Sequence, residues 1–88
     1  MFCMAHPIHD PRYQRIAKLL TDLRKQRGWL QQDVADRIGR PQAFVSKVES
    51  GARRLDVVEL LDFLRVLEAD PHAFIDTLLD TPMSALPR

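Results

Sequence analysis

Few residues in this 88-residue chain belong to types that do covalent chemistry, and their spacing argues against it. Cys3, His6, His9 and Asp10 offer the thiolate and imidazole donors that zinc prefers. They stand together in a proline-containing start with no second ligand cluster, so an arm without metal is the expectation. Ser46, Ser50 and Ser84 lack His and Asp companions that would make a nucleophile of any of them, and three glycines in total form no phosphate-cradling loop. The carboxylates fall on helix faces where solvation is their ordinary role. The expectation is therefore no enzyme and no cofactor. What remains is recognition chemistry: Gln42, Ala43, Ser46, Lys47 and Ser50 form a polar stripe without a large apolar member, suited to touching base edges in a DNA major groove.

The charges support a polyanionic partner. The chain holds 13 Lys and Arg against 12 Asp and Glu, almost neutral, but they are sorted along its length. Residues 12–54 carry eleven basic groups against four acids, an excess of seven, whereas residues 55–88 carry two against seven, an acidic excess of five. Only the first of these regions is fit to meet nucleic acid. A single cysteine allows no internal disulfide and suits a reducing compartment, with cytoplasm the default. No segment approaches the ~18 consecutive apolar residues of a membrane span, and the opening residues lack a signal-peptide pattern. A domain this short buries only about 60–65% of its unfolded surface, so it gains from a partner subunit.

Helical periods place the polar stripe. Residues 1–11 have no apolar period and read as a flexible arm. A first helix starts near Pro11 or Arg12, with Tyr13, Ile16, Ala17, Leu20 and Leu23 on one face, and stops at Gly28. One further step along that face reaches Arg24, a charge at an inward position that needs a buried partner. A second helix spans roughly Gln31 to Ile38, with Val34, Ala35 and Ile38 inward, and ends at Gly39. A third opens beside Pro41, placed as a first-turn proline, turns Val45 and Val48 inward and ends at Gly51. The fourth runs from an Asp56 cap to Leu67, and its apolar residues Val57, Val58, Leu60, Leu61, Phe63, Leu64, Val66 and Leu67 cover more than one stripe, which predicts burial on more than one side. Asp70-Pro71 opens a fifth helix with Phe74, Ile75, Leu78 and Leu79. No strand is predicted, and residues 81–88 form a loose tail. The reading is an all-α, five-helix domain over residues 12–80.

Within it, Gln31 to Ser50 meets the spacing demands of a helix-turn-helix that reads DNA. Ala35, fifth in the motif, is small where two steeply crossing helices meet. Gly39, ninth, suits a turn that needs positive φ, which glycine adopts without a Cβ penalty. Together with LRKQRGW before the motif, QQDVADRIG and PQAFVSKVESG within it and RRLDVVELLDFLRVLEAD after it, residues 12–67 resemble the Cro and phage-repressor type of helix-turn-helix, the XRE family, whose fold is the compact lambda-repressor-like bundle. Two positions depart from the pattern. Leu30 occupies the second-helix cap where the family prefers Thr or Ser, and Arg40 replaces the usual small apolar residue after the turn glycine.

The resemblance implies roles residue by residue. Gln42, Ala43, Ser46 and Lys47 would read bases, with adenine matching the Gln42 amide and guanine the Lys47 ammonium. Gln31, Arg40, Arg53 and Arg54 would meet backbone phosphates. Arg24 and Glu49 would form the family's structural ion pair between the first and third helices. Trp29 is expected at the core or its rim. The implied function is a sequence-specific, double-stranded-DNA-binding transcriptional regulator, a dimeric repressor on an inverted repeat, with Phe63, Val66, Phe74, Leu78 and Leu79 as the predicted dimer interface. The alternative to that interface is a fifth helix folded back to cover the fourth. An alternative function from another class is a protein-interaction module, such as an antitoxin partner, built on the over-apolar fourth helix and its acidic surface.

Overall fold

A computed structural model of the chain describes residues 10–80. Residues 1–9 of the predicted arm, with Cys3, His6 and His9, and the predicted tail 81–88 lie outside the described residues, whereas Asp10 and Pro11, predicted in the same arm, cap and open the first helix. Five helices follow one another: α1 (Pro11–Gln26), α2 (Gln31–Ile38), α3 (Gln42–Glu49), α4 (Val57–Val66) and α5 (Pro71–Leu79). No strand occurs among the described residues.

Local chemistry sets the boundaries. The Asp10 carboxylate accepts the Arg12 backbone N–H at 2.8 Å and Pro11 takes the first turn, where its missing donor leaves nothing unpaired. Asp70 and Pro71 repeat this device at α5, with Asp70 accepting from His72 N–H at 2.9 Å. At α4 the capping is reciprocal: Asp56 accepts from Glu59 N–H at 2.7 Å and Glu59 accepts from Asp56 N–H at 3.1 Å. Leu30 has no side-chain acceptor to cap α2, but Asp33 returns to the Leu30 N–H at 2.8 Å, which supplies half of a capping box. Pro41 stands one residue earlier than expected: it is the N-cap of α3, and helical geometry begins at Gln42.

Gly39 ends α2 at φ 76°, ψ 30°, and the next N–H, that of Arg40, returns to the Ala35 carbonyl at 3.1 Å. This left-handed stop folds α3 back across α2 within a three-residue connection. The same geometry at the end of α4 falls on a non-glycine residue, Glu68, at φ 57°. Its neighbourhood compensates. Arg27, just beyond α1, donates Nε to the Leu67 carbonyl and Nη2 to the Glu68 carbonyl, both at 3.0 Å, and its Nη1 lies 3.0 Å from the Glu68 carboxylate.

The core gathers Leu20 of α1, Val34 and Ala35 of α2, Phe44, Val45 and Val48 of α3, Phe63 and Leu64 of α4, Leu67, and Phe74 of α5. Two expectations need correction. Phe63 and Phe74, predicted at a dimer interface, are core residues, with Phe63 only 1% exposed. Both lie on faces where their large rings fill the space between helices rather than meet a second copy. Val66 and Leu78 pack against that core half-buried, and only Leu79 of the predicted interface stands exposed, at 72%. Within one chain α4 is not buried on more than one side either: Val57 and Val58 remain 71% and 67% exposed, with Leu61 beside them on the outer surface. Helix α5 lies against α1, where Leu19, Leu23, Ala69, Ala73, Phe74 and Thr77 line a groove of about 210 Å³ with Asp70 at its edge.

Candidate nucleic-acid interface

The outward surface of α3 is organised by an ion pair beneath it. Arg24, the inward charge of α1, places Nε 2.7 Å from Oε2 of Glu49 and Nη2 3.0 Å from Oε1, a two-pronged pair. The Arg24 and Glu49 side chains are 11% and 6% exposed. The remaining Arg24 prong, Nη1, donates to the Trp29 carbonyl at 2.6 Å and so ties in the α1–α2 junction. Taken from water, either charge alone would be costly, and each satisfies the other.

The pair also fixes the polarity of two amides. A carboxylate only accepts, so Gln31 must turn its Nε2 toward Glu49 Oε1, at 3.0 Å. Its Oε1 then faces away and accepts from Gln42 Nε2 at 2.6 Å. Gln42 is left with one N–H and its carbonyl oxygen. Thus Glu49 is neutralised at the place where an acid would repel phosphate, and its charge orients the first side chain of α3. Ala43 and Lys47 are exposed beyond Gln42, and Ser46 is half-buried. The Ser50 hydroxyl donates back to the Lys47 carbonyl at 3.0 Å and serves the helix end.

The basic residues around α3 divide. Arg54 is exposed, its guanidinium 5.7 Å from the Tyr13 ring centre. Arg40 and Arg53 are engaged: their guanidiniums lie 3.9 and 4.7 Å from the centre of the Phe44 ring, within cation–π range. Both also reach Glu59, Arg53 through Nη1 and Nη2 at 3.1 and 3.0 Å and Arg40 through Nη1 at 3.6 Å. The Arg53 hydrogen bonds, the Asp56 N–H and the positive charge of both arginines hold the Glu59 carboxyl below the usual carboxylate range, against the opposing effect of burial. Arg40, a departure from the family pattern, thus finds a specific seat.

Phe44 and Glu59 are the functional neighbours that sequence reasoning missed. Phe44 was legible, since it lies one turn before the inward Val48. Glu59 was not, because the residues that meet on it come from separate segments. Trp29 is half-buried at the core's edge, with the Arg37 guanidinium 4.0 Å from a ring centre.

These features define a helix-turn-helix domain, with α2 as the supporting helix and α3 as the exposed one. The model of the helix-turn-helix domain family matches residues 15–74. An XRE-family like protein from Pseudomonas syringae pv. tomato str. DC3000 is 47% identical, with 85% of this chain and 93% of that chain covered and a TM-score of 0.77. The chain belongs to the XRE-type helix-turn-helix family of DNA-binding transcription regulators. The restriction-modification controller protein C.Esp1396I shares the fold at 20% identity and a TM-score of 0.73, with 77% of this chain and 90% of that one covered. The structure of that controller as a tetramer in complex with its natural 35 base-pair operator superposes with a TM-score of 0.72, at the same identity and coverage. No curated protein matches the chain. No helix among the described residues is long and apolar enough to cross a membrane.

Proposed function

We propose that the protein is a sequence-specific repressor that binds double-stranded DNA as a dimer and inserts α3 into the major groove. The observation that carries this reading is the chain of contacts from Arg24 through Glu49 and Gln31 to Gln42. It leaves on Gln42 one donor and one acceptor, the pair that adenine N7 and N6 require. Lys47, one turn further on, suits guanine O6 and N7, while Ala43 suits a thymine methyl and Ser46 a base or phosphate. Gln31, Arg40, Arg53 and Arg54 flank this stripe at the positions where a DNA backbone passes.

Dimerisation is supported by the exposed apolar residues Val57, Val58 and Leu61 of α4 and Ile75 and Leu79 of α5. It is also supported by the oligomeric, operator-bound state of the C.Esp1396I controller. Two copies would place two α3 helices one DNA turn apart, about 10 bp, on an inverted repeat. Occupation of a promoter is then the simplest route to repression.

Selection from a random duplex pool at two salt concentrations, with the solution mass of the protein measured in parallel, tests this. An enriched inverted repeat bound by a dimer is expected. Salt-sensitive binding without enrichment would contradict sequence reading and favour the second function, a protein-interaction module whose partner covers the exposed residues of α4 and α5.

A further inference from the structure

Glu59 is where three separate segments converge: Arg40 from the turn between α2 and α3, Arg53 from the segment after α3, and the N-terminus of α4. Its two oxygens take the end-on prongs of Arg53 at 3.1 and 3.0 Å, and Oε2 lies 3.6 Å from Arg40 Nη1. Arg53 Nη1 spends its second hydrogen on the Arg54 carbonyl at 2.7 Å. Phe44 forms the floor under both guanidiniums. Two anionic oxygens received by an arginine fork beside a second arginine is the arrangement a phosphodiester adopts with the same groups.

We infer that Glu59 is an internal counter-anion that occupies Arg53 in the free protein, with Arg40 drawn to the same oxygen, and that backbone phosphate of DNA competes with it for Arg53. Glu59 thereby limits affinity for duplex DNA of any sequence and leaves base preference to α3. This rests on the proposed function above. The position favours such a role over simple support of the corner between α3 and α4. A support needs one arginine, already capped by the Arg54 carbonyl, whereas here a second arginine is drawn to the same oxygen from the turn that precedes α3. With Arg53 released from Glu59, its end-on edge becomes available to a phosphate.

The test is duplex binding by the wild-type chain, Glu59→Gln, Arg53→Ala and the double variant, over a salt series, with the thermal midpoint of each recorded. The amide introduced by Glu59→Gln keeps an acceptor for the Asp56 N–H, so the α4 cap survives. Glu59→Gln is expected to tighten binding to every duplex roughly five-fold at low salt, the scale of one partly exposed ion pair. It is expected to steepen the log–log salt slope by about 0.9, one additional phosphate neutralised. In the Arg53→Ala background the same substitution is expected to change affinity by less than about two-fold. Equal gains in both backgrounds would assign the effect to net charge and overturn the inference, as would unchanged or weaker binding by Glu59→Gln. If Glu59→Gln fails to fold, Glu59→Asp serves in its place: it keeps the charge but withdraws the carboxylate from the fork. It is expected to show a smaller gain in the same direction, and weaker binding overturns the inference. A wild-type chain that binds no duplex at low salt defeats the DNA-binding reading and this inference together, whereas wild-type binding without the gain defeats this inference alone.

Discussion

Arg24 is the residue on which the geometry of α3 depends most. Its guanidinium makes three hydrogen bonds, two to Glu49 and one to the Trp29 carbonyl, from a nearly buried position. Arg24→Ala strands the Glu49 carboxylate and is expected to destabilise the domain by roughly 3 kcal/mol, measured by chemical denaturation. A change within error would contradict the pair's burial. Arg24 was legible from periodicity because an arginine on an apolar stripe is an exception that needs a partner. The Gln31–Gln42 contact was not, since nothing in a sequence says which way an amide turns. At the chain's described start, the Asp10 carboxyl is lowered from 3.8 to about 2 by its hydrogen bonds to Arg12. Its folded value lies below its unfolded one, so its contribution to stability is present above pH 3.8 and is lost as pH falls through about 2. Asp10→Ala should remove that part of the acid limb in denaturation curves recorded across this window.

At the scale of the helices, punctuation was easier to read than packing. Asp10-Pro11, Asp70-Pro71 and the glycine stops place five helix ends within a residue or two, because cap and φ preferences are local. Pro41 missed by one residue, since a proline fits both the cap and the first turn. Phe63 and Phe74 were misassigned for a tertiary reason. On a helix apolar nearly all round, periodicity cannot say which side meets its own chain. The ends give two further predictions. At Gly39 an added Cβ meets no atom within 4 Å, so Gly39→Ala carries only the left-handed backbone penalty, about 1–2 kcal/mol by thermal unfolding. At Glu68 the same conformation is already borne by a non-glycine residue. Glu68→Gly relieves that strain and loses one exposed ion pair with Arg27, and a small net stabilisation, about 0.5 kcal/mol, is expected.

The whole molecule divides into a basic, polar side around α3 and an acidic side on α4 and α5 with apolar residues in the open. That asymmetry was visible in the charge sorting of the sequence. Its apolar part became specific only when the core had claimed Phe63, Leu64, Leu67 and Phe74 and left Val57, Val58, Leu61, Ile75 and Leu79 outside. If a second copy covers those residues, Leu79→Lys returns the solution mass to that of one chain at concentrations where the wild-type protein is a dimer, with the fold intact by circular dichroism. An unchanged dimer would move the interface elsewhere.

In the proposed function α3 reads bases while the surrounding arginines hold the DNA backbone. The direct measurement is the affinity of the wild-type chain, Lys47→Ala and Arg54→Ala for the selected operator and for each of its single-base variants. Lys47→Ala is expected to weaken operator binding and to relax preference at one position by roughly 1–3 kcal/mol. Arg54→Ala is expected to weaken all sequences alike and to lower the salt slope by about 0.9. Equal losses on every duplex for Lys47→Ala would contradict base reading by that residue and reduce its role to the electrostatic one of its neighbours.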